Sequence, residues 1–452
     1  MLIKVIVNTY PTAFITPGGG EIQLKNTVNA IKKNNNDEII ISLYDMWNPN
    51  IEKTDIVHFF SVYGGSLNFC ENVKKLGKKL VVSPVIWLDD FNKYPINEIK
   101  KILFMADLIL PNSKLELEML YNKLGIPKEK MKVVYNATDI ELNKKIDNTL
   151  FKDKYNINNY ILNVANIEPR KNQLNLIKAV QKIDMDLVIV GAVRDEKYWD
   201  KCIAEDKNKK VKYIGVLEHN SDILLSAYLN AKCFVLPSLL ETPGLAAIEA
   251  ISSGCKNLVI TGVGSAKEYF KEHAIYINNP NDYKEIEDAI LKSFNMNLID
   301  DIYRKELINT FNWKNTAKQT VEAYKMAINM KHIEIPDIYN LSMIKNVTGF
   351  YELEFDGKNY FRWMSSNAEI ELNKKCSGLD VVIEAEDNQR IMIVYNMDKY
   401  KIFKLKSGIN NISFKFDSLV TCFKFLSNKK NNLPNMEKRD LALKIIKIRS
   451  IS

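Results

Sequence analysis

Two glutamates, Glu241 and Glu249, stand with seven residues between them in the stretch Pro237-Ser-Leu-Leu-Glu-Thr-Pro-Gly-Leu-Ala-Ala-Ile-Glu-Ala-Ile-Ser-Ser-Gly254. The apolar run Cys233-Phe-Val-Leu236 before it reads as a buried strand. Pro237, Pro243 and Gly244 break that pattern, and apolar residues at Leu245, Ile248 and Ile251 then predict a helix. Glu241 therefore falls in the loop and Glu249 in the helix, at most about 12 Å apart at the helical rise. One ligand with a sugar at one end and a ribose at the other reaches both. The amides of Gly244 and Leu245 sit at the predicted helix N-terminus, where unpaired N–H groups and the helix dipole favour an anion. Upstream, Arg170 and Lys171 are adjacent cations in another strand-to-helix loop, Asn166-Ile-Glu-Pro-Arg-Lys-Asn172. A planar guanidinium fork beside a point charge suits a diphosphate. On spacing alone Glu249 reads equally well as a solvated helix residue, and the basic pair as a surface ion-pair loop.

The elements that must position these groups alternate. Residues 1–145 carry short apolar runs (Leu2–Val7, Glu38–Leu43, Ile56–Phe60, Leu80–Trp87, Leu108–Leu110, Lys132–Tyr135) separated by helix-length segments. That alternation predicts βα units on a parallel sheet. The first run is followed by Thr16-Pro-Gly-Gly-Gly-Glu21 and a helix expected from Ile22 to Lys32. A glycine-rich turn after the first strand lies where such sheets bind ligands. Its spacing is not G-x-G-x-x-G, so a dinucleotide fingerprint is not supported. Polar residues 140–156 read as a linker. A second alternating domain spans 155–330, with strands at Tyr160–Ala165, Asp186–Gly191, Val211–Leu217, Cys233–Leu236 and Asn257–Thr261 and a helix from Gln173 to Ile183. Residues 335–452 change character. Nine short β-patterned runs (Phe350–Phe355, Tyr360–Met364, Glu369–Leu372, Val381–Glu384, Ile391–Tyr395, Lys401–Leu405, Ile412–Phe416, Cys422–Leu426, Leu443–Ile448) predict an antiparallel sandwich. Trp363 in it reads as a core residue rather than a sugar-stacking one.

The bulk properties bound the partners. A chain of 452 residues with 46% hydrophobic and 26% charged residues is of ordinary globular composition. The formal charge of +8 permits attraction to anionic lipid or acidic donors, and no basic stripe interleaved with aromatics points to nucleic acid. Six scattered cysteines without a C-x-x-C pair fit reduced thiols in a cytoplasm and offer no metal site. No run reaches the roughly 20 apolar residues of a spanning helix, and the opening residues read as a first strand rather than a signal peptide.

The stretch around Glu241 and Glu249 resembles the E-x7-E region of retaining GT-B glycosyltransferases, in particular the GT4 family. Glu241, Gly244, Leu245, Glu249, Ala250 and Gly254 fall in place, while Thr242 and Pro243 replace a common Gly-Phe pair. Asp55-Ile-Val-His58, Ala106-Asp-Leu-Ile-Leu-Pro-Asn-Ser113 and Val133-Val-Tyr-Asn-Ala-Thr-Asp139 are similar to further family strings. Arg170 and Lys171 match its E-P-R-K-N form of the phosphate loop, with Asn166 near the place of the earlier arginine of the G-R-L form. Phe311-Asn-Trp313 and the helix to about Met330 resemble the terminal segment that crosses back over the first domain. Many members carry a His after the fourth strand; here Val82-Ser-Pro-Val-Ile-Trp-Leu-Asp-Asp90 has none, and Asp89 and Asp90 are candidate acidic substitutes. His58, at a strand end, reads as structural.

The resemblance implies an α/β GT-B fold: two Rossmann-like domains facing a cleft, followed by the all-β domain, which vaguely resembles β-domains appended to some bacterial sugar-transfer enzymes. It implies a glycosyltransferase that moves a sugar from a nucleotide-sugar donor to a glycan, lipid-linked or protein acceptor with retention. The expected roles are Glu241, Arg170 and Lys171 as catalytic groups and Glu249 on the ribose. Pro243, Gly244 and Leu245 would lie on the donor, Gly215 and Leu217 by the nucleotide base, and Gly18, Gly19 and Gly20 by the donor phosphates or the acceptor. No cofactor, metal or nucleic acid is expected. The expected setting is cytoplasmic, with room for association at the inner face of a membrane. Three rivals are an epimerase, a phosphorylase with pyridoxal phosphate on a Lys, and a non-catalytic glycan-binding subunit whose active module is the β-domain.

Overall fold

The computed structural model describes residues 2–15, 17–34, 37–62, 64–140, 144–330, 344–355, 360–396, 399–428 and 441–451. They fall into two compact units that divide near residue 331. Thr16 and residues 335–343, both inside segments read from the sequence, lie outside the described residues.

The first unit opens with β1 (Ile3–Asn8), α1 (Gly19–Asn34), β2 (Ile39–Leu43), β3 (Ile56–Phe60), α2 (Ser66–Lys75), β4 (Lys79–Ser83), α3 (Ile96–Met105), β5 (Leu108–Ile109) and α4 (Lys114–Leu124). The strands are parallel in the order β2-β1-β3-β4-β5. α1 starts three residues before the expected Ile22. Glu21 accepts the Gly18 N–H at 2.7 Å while Ile22 N–H reaches the Gly18 carbonyl at 3.1 Å. The Glu21 carboxylate reaching back to the Gly18 N–H supplies one half of a capping box, Gly18 having no side chain for the other, and α1 begins at Gly19. β4 stops at Ser83, short of the expected Trp87, because Pro84 follows and Val85 has φ 49°. Lys132–Tyr135 forms no strand; its N–H groups at Lys132 and Val134 donate to the carbonyls of Ile109, at the end of the short β5, and of Pro111 just past it.

A second parallel sheet follows: α5 (Leu150–Tyr155), β6 (Tyr160–Val164), α6 (Gln173–Val180), β7 (Asp186–Val190), α7 (Glu196–Ala204), β8 (Val211–Gly215), α8 (Asp222–Asn230), β9 (Cys233–Leu236), α9 (Leu245–Ser253), β10 (Leu258–Thr261), α10 (Ala266–Phe270), β11 (Ile275–Ile277), α11 (Tyr283–Phe294) and α12 (Asp301–Thr310). Its order is β11-β10-β9-β6-β7-β8. The segment expected as a polar linker holds α5, whose Phe151 is fully buried in this domain's core beside Tyr160 and Phe234. α13 (Trp313–Asn329) then packs on α1. Trp313, Ala317, Val321 and Tyr324, spaced at helical intervals, enter the same core as Leu24, Val28 and Ile31. Its Tyr324 hydroxyl lies 2.8 Å from His58 Nδ1, and Ser83 Oγ lies 2.9 Å from Nε2. Burial drives the His58 pKa down to about 3, so the ring is neutral and its role is in packing.

Both sheets reverse direction once: between β1 and β3 in the first, and between β6 and β9 in the second. Loops leaving neighbouring strands diverge at such a point and open a crevice at the carboxyl ends. The functional candidates lie at these two crevices.

The second unit is antiparallel: β12 (Ile344–Phe355), β13 (Tyr360–Ala385), β14 (Gln389–Tyr395), β15 (Lys399–Leu405), β16 (Gly408–Ser427) and β17 (Leu443–Ile451). Nine expected runs thus become six strands. Three runs merge into the 26 residues of β13 and two into the 20 of β16. The register of β13 shifts between Glu371 and Gly378, so its halves pair with opposite ends of β16. Ile445 of β17 lies opposite both Arg362 and Ile383 of β13. The breaks that looked like turns in the sequence are places where one continuous strand changes partners. Trp363 is buried with Phe361 and Leu441.

Candidate functional site

The loops after β6 and β9 meet at the reversal point of the second sheet. Leu239 N–H donates to the Arg170 carbonyl at 2.9 Å, and the Asn172 amide donates to Pro237 and Pro280 carbonyls at 2.9 and 2.6 Å. The Glu241 backbone is fixed from the other side: its N–H donates to Val263 at 3.0 Å and its carbonyl accepts from Ser265 at 2.9 Å. The Gly262–Gly264 turn after β10 therefore grips Glu241. Only glycine fits at 264, where φ is 108° and a Cβ would lie 2.0 Å from the Glu241 carbonyl oxygen.

These constraints bring Lys171 Nζ within 2.5 Å of Glu241 Oε1, both nearly buried. Burial pushes the Glu241 carboxyl up, but the Lys171 and Arg170 charges outweigh it and hold the group below its usual range. Burial lowers the Lys171 ammonium by more than Glu241 raises it. Arg170 is half exposed, its guanidinium 3.1 Å from Glu168 Oε1. Beyond them Gly244, with φ 95°, starts α9; Ala247 and Ile248 N–H groups donate to its carbonyl, and the Leu245 and Ala246 amides precede these first helical bonds. One turn along α9, Glu249 accepts from Tyr228 Oη at 3.1 Å, and its other oxygen lies 2.8 Å from His219 Nε2.

A cavity of about 590 Å³ joins these groups to the first domain. It is lined by Gly18, Gly19, Gly20, Arg170, Lys171, Leu217, Glu241, Gly244, Leu245 and Glu249, all singled out in the sequence. Pro243 and Gly215 do not line it. Pro243 is buried behind Thr242 and Gly244, and its peptide with Thr242 is cis. Gly215 ends β8 at φ 82° with its carbonyl bonded to Gly191 N–H, so Val216 and Leu217 are the residues that reach the cavity. Asp89 and Asp90 do not line it either. Asp89 is tied to Lys93 at 2.7 Å and to Tyr94 Oη at 3.1 Å, and Asp90 caps a short turn through Asn92 N–H. In place of a histidine that loop offers Trp87 and Tyr94.

Sequence reasoning missed Arg194, Glu168 and His219. Arg194 and His219 follow β7 and β8 at the carboxyl ends of the sheet, and that position alone marks them as ligand-side. Arg194 also explains Asn166: oriented to satisfy its amide, Asn166 accepts from the Arg194 guanidinium at 2.9 and 3.0 Å. Chemically, the cavity lining brings together the cations Arg170, Lys171 and Arg194, helix-terminal amides and the carboxylates of Glu21, Glu168, Glu241 and Glu249. Among the described residues no helix is long and apolar enough to cross a membrane.

Comparison with known proteins agrees with this geometry. Residues 146–310 match the family model for glycosyl transferases group 1. The chain is 30% identical over 221 residues to an uncharacterized glycosyltransferase of Methanocaldococcus jannaschii, a match covering 45% of this chain and 56% of the relative. It is 29% identical over 229 residues to the N-acetylgalactosamine-N,N'-diacetylbacillosaminyl-diphospho-undecaprenol 4-alpha-N-acetylgalactosaminyltransferase of Campylobacter jejuni, covering 48% of this chain and 56% of that relative. The chain thus spans about half the length of the curated relatives it matches. Among solved structures, Anabaena HepE in complex with UDP-glucose aligns with a TM-score of 0.59 and 16% identity, over 72% of this chain and 100% of that one. The chain therefore has the GT-B fold, two Rossmann-like domains facing a cleft, and its second domain matches glycosyl transferases group 1.

Proposed function

We propose that this protein transfers a sugar from a nucleotide-sugar donor to a glycan, lipid-linked or protein acceptor, with retention at the anomeric carbon as in the GT4 enzymes it resembles. The observation that carries the reading is the Lys171–Glu241 pair, set beside Arg170 and lining a single cavity with Glu249 of α9 between two facing sheets. The Anabaena neighbour was solved with UDP-glucose, and the Campylobacter relative is named for a transfer onto a diphospho-undecaprenol-linked sugar; both are compatible with such a donor and acceptor.

In this reading Glu249 accepts from the ribose diol, Leu217 lies by the base, and the diphosphate rests against Arg170, Lys171 and the start of α9. As the bond to the sugar breaks, negative charge builds on the departing diphosphate. Fixed cations and amides already aimed there lower the barrier without reorganising, each worth roughly 3 kcal/mol. Glu241, held ionised by Lys171, orients the sugar hydroxyls. The acceptor hydroxyl attacks from the face on which the diphosphate leaves, and a phosphate oxygen takes its proton. These residues supply the positive charge without a metal ion.

The test is release of nucleoside diphosphate from UDP-, GDP-, dTDP- and ADP-sugars by the wild type, Glu249→Ala and Arg170→Ala/Lys171→Ala. Slow hydrolysis of one donor, lost in both variants, is the expected result. Absence of turnover and of donor binding in calorimetry overturns the reading and favours a glycan-binding subunit. Where product forms, NMR of its anomeric proton decides between retention and inversion.

A further inference from the structure

The cavity holds a cation that neither the basic pair nor the E-x7-E stretch contains. Arg194, just past the carboxyl end of β7, spans the cleft. Its Nη2 donates to the Pro17 carbonyl of the first domain at 2.8 Å, and its Nη1 lies 3.1 Å from Glu168 Oε2. The side chain is 23% exposed and lines the cavity with Arg170 and Lys171. Pro17 leads directly into Gly18 and the N-terminus of α1, a helix of 16 residues. A Cβ placed on Gly18 would lie 3.4 Å from the Arg194 guanidinium, which places the arginine directly against the α1 N-terminus.

Glu168 explains the spacing. One of its oxygens holds Arg170 at 3.1 Å and the other holds Arg194 at 3.1 Å. Two guanidiniums thus flank a single carboxylate, as they would flank an anion with charged oxygens at both ends. The other acidic groups of the cavity are engaged elsewhere: Glu241 with Lys171, Glu249 with His219 and Tyr228, and Glu21 with Gly18 N–H and Tyr10.

Resting on the reading of this cavity as a nucleotide-sugar site, we propose that Arg194 is a third cation of the diphosphate site. Its planar fork takes phosphate oxygens on the side opposite Arg170, next to the α1 N-terminus. The first domain's glycine turn and the second domain's arginine then form one wall of the site.

The test is calorimetry on the full chain with UDP and GDP, set beside ligand-observed NMR competition with uridine and guanosine. Arg194→Ala is expected to weaken the nucleoside diphosphate that the wild type binds by about 10- to 100-fold, as for loss of a hydrogen bond to a charged group. Binding of the matching nucleoside is expected to stay within about twofold. Arg194→Lys should recover part of the loss. Equal losses for diphosphate and nucleoside, or no loss for either, would make Arg194 a strut and overturn the proposal. If Arg194→Ala unfolds, Arg194→Gln, which keeps a donor for Pro17, is read by the same criterion. A wild type that binds neither diphosphate fails the underlying reading instead, an outcome distinct from wild-type binding that Arg194→Ala leaves intact.

Discussion

The His219 ring lies 2.8 Å from the Glu249 carboxylate, and Asp139 of the first domain turns its own charge toward the same imidazole. The hydrogen bond to Glu249 and the two carboxylate charges raise the His219 pKa above 6.5 against the opposing effect of burial. A raised folded-state pKa stabilises the fold fully below the unfolded value and loses that contribution as pH rises through the folded one. The wild type should therefore melt at a lower temperature at pH 8.5 than at pH 6, by more than His219→Gln does. The ring is partly exposed, so the difference is small, below about 1 kcal/mol. Parallel pH profiles for the two proteins would remove His219 from this role.

Lys171→Met leaves the buried Glu241 carboxylate without its ion-pair partner, which costs about 3 kcal/mol or more of stability. Glu241→Gln in the same background should restore much of it, because the double variant no longer buries a lone charge. In the wild type Glu241 titrates below its ordinary value of 4.5, so its stabilising effect is present above that pH and fades as pH falls through the depressed value. Urea unfolding of the two single variants and the double variant measures the coupling; simple additivity would mean the pair is not coupled.

Gly264→Ala meets the Glu241 carbonyl oxygen at 2.0 Å with φ at 108°. Gly77 has φ 68° but nothing within 4 Å of an added Cβ. Both substitutions strain the backbone by about 1 kcal/mol. Only the first also displaces Glu241, so Gly264→Ala should lower the melting temperature further and abolish donor hydrolysis. Comparable effects of the two substitutions on both readouts would refute the clamp.

α10 ties the domains together at the base of the cleft. Glu268 accepts the Lys114 and Leu115 N–H groups, each at 2.9 Å, capping α4 of the first domain. Tyr269 Oη donates to the Asn112 carbonyl at 2.6 Å and accepts from Asn136 N–H at 2.9 Å. Tyr269→Phe leaves two buried backbone groups short of a partner and should cost about 2 kcal/mol. Hydrogen exchange should quicken at Asn136 in this variant; unchanged exchange there would show that the tie is dispensable.

The candidate residues that line the cavity were legible because their types and spacing are local facts. Glu241 before a helix, Glu249 inside it and a basic pair in a strand-to-helix loop follow from apolar periodicity and turn residues alone. The parallel strands were legible for the same reason, as runs buried on both faces. The sequence misled where a local break had a distant cause. Polar interruptions in the β-domain looked like turns, yet in β13 and β16 they mark a strand changing partners. Gly19 and Gly20 looked like a loop, yet they belong to α1, whose first turn the Glu21 carboxylate braces at the Gly18 N–H. Residues 140–156 looked like linker because the apolar face of α5 is too short to show a period, and Phe151 finds its place only in the core of the second domain.

From sequence alone came the two βα domains, the β-rich tail and the candidate acidic and basic residues, since these depend on neighbours a few residues apart. Tertiary structure alone decided which groups meet. Strand-order reversals between β1 and β3 and between β6 and β9 open the crevices. There Lys171 reaches a Glu241 that is 70 residues away, and Arg194 reaches Pro17 in the other domain. Pairings across such separations are set by sheet order and helix packing, and no local pattern records them.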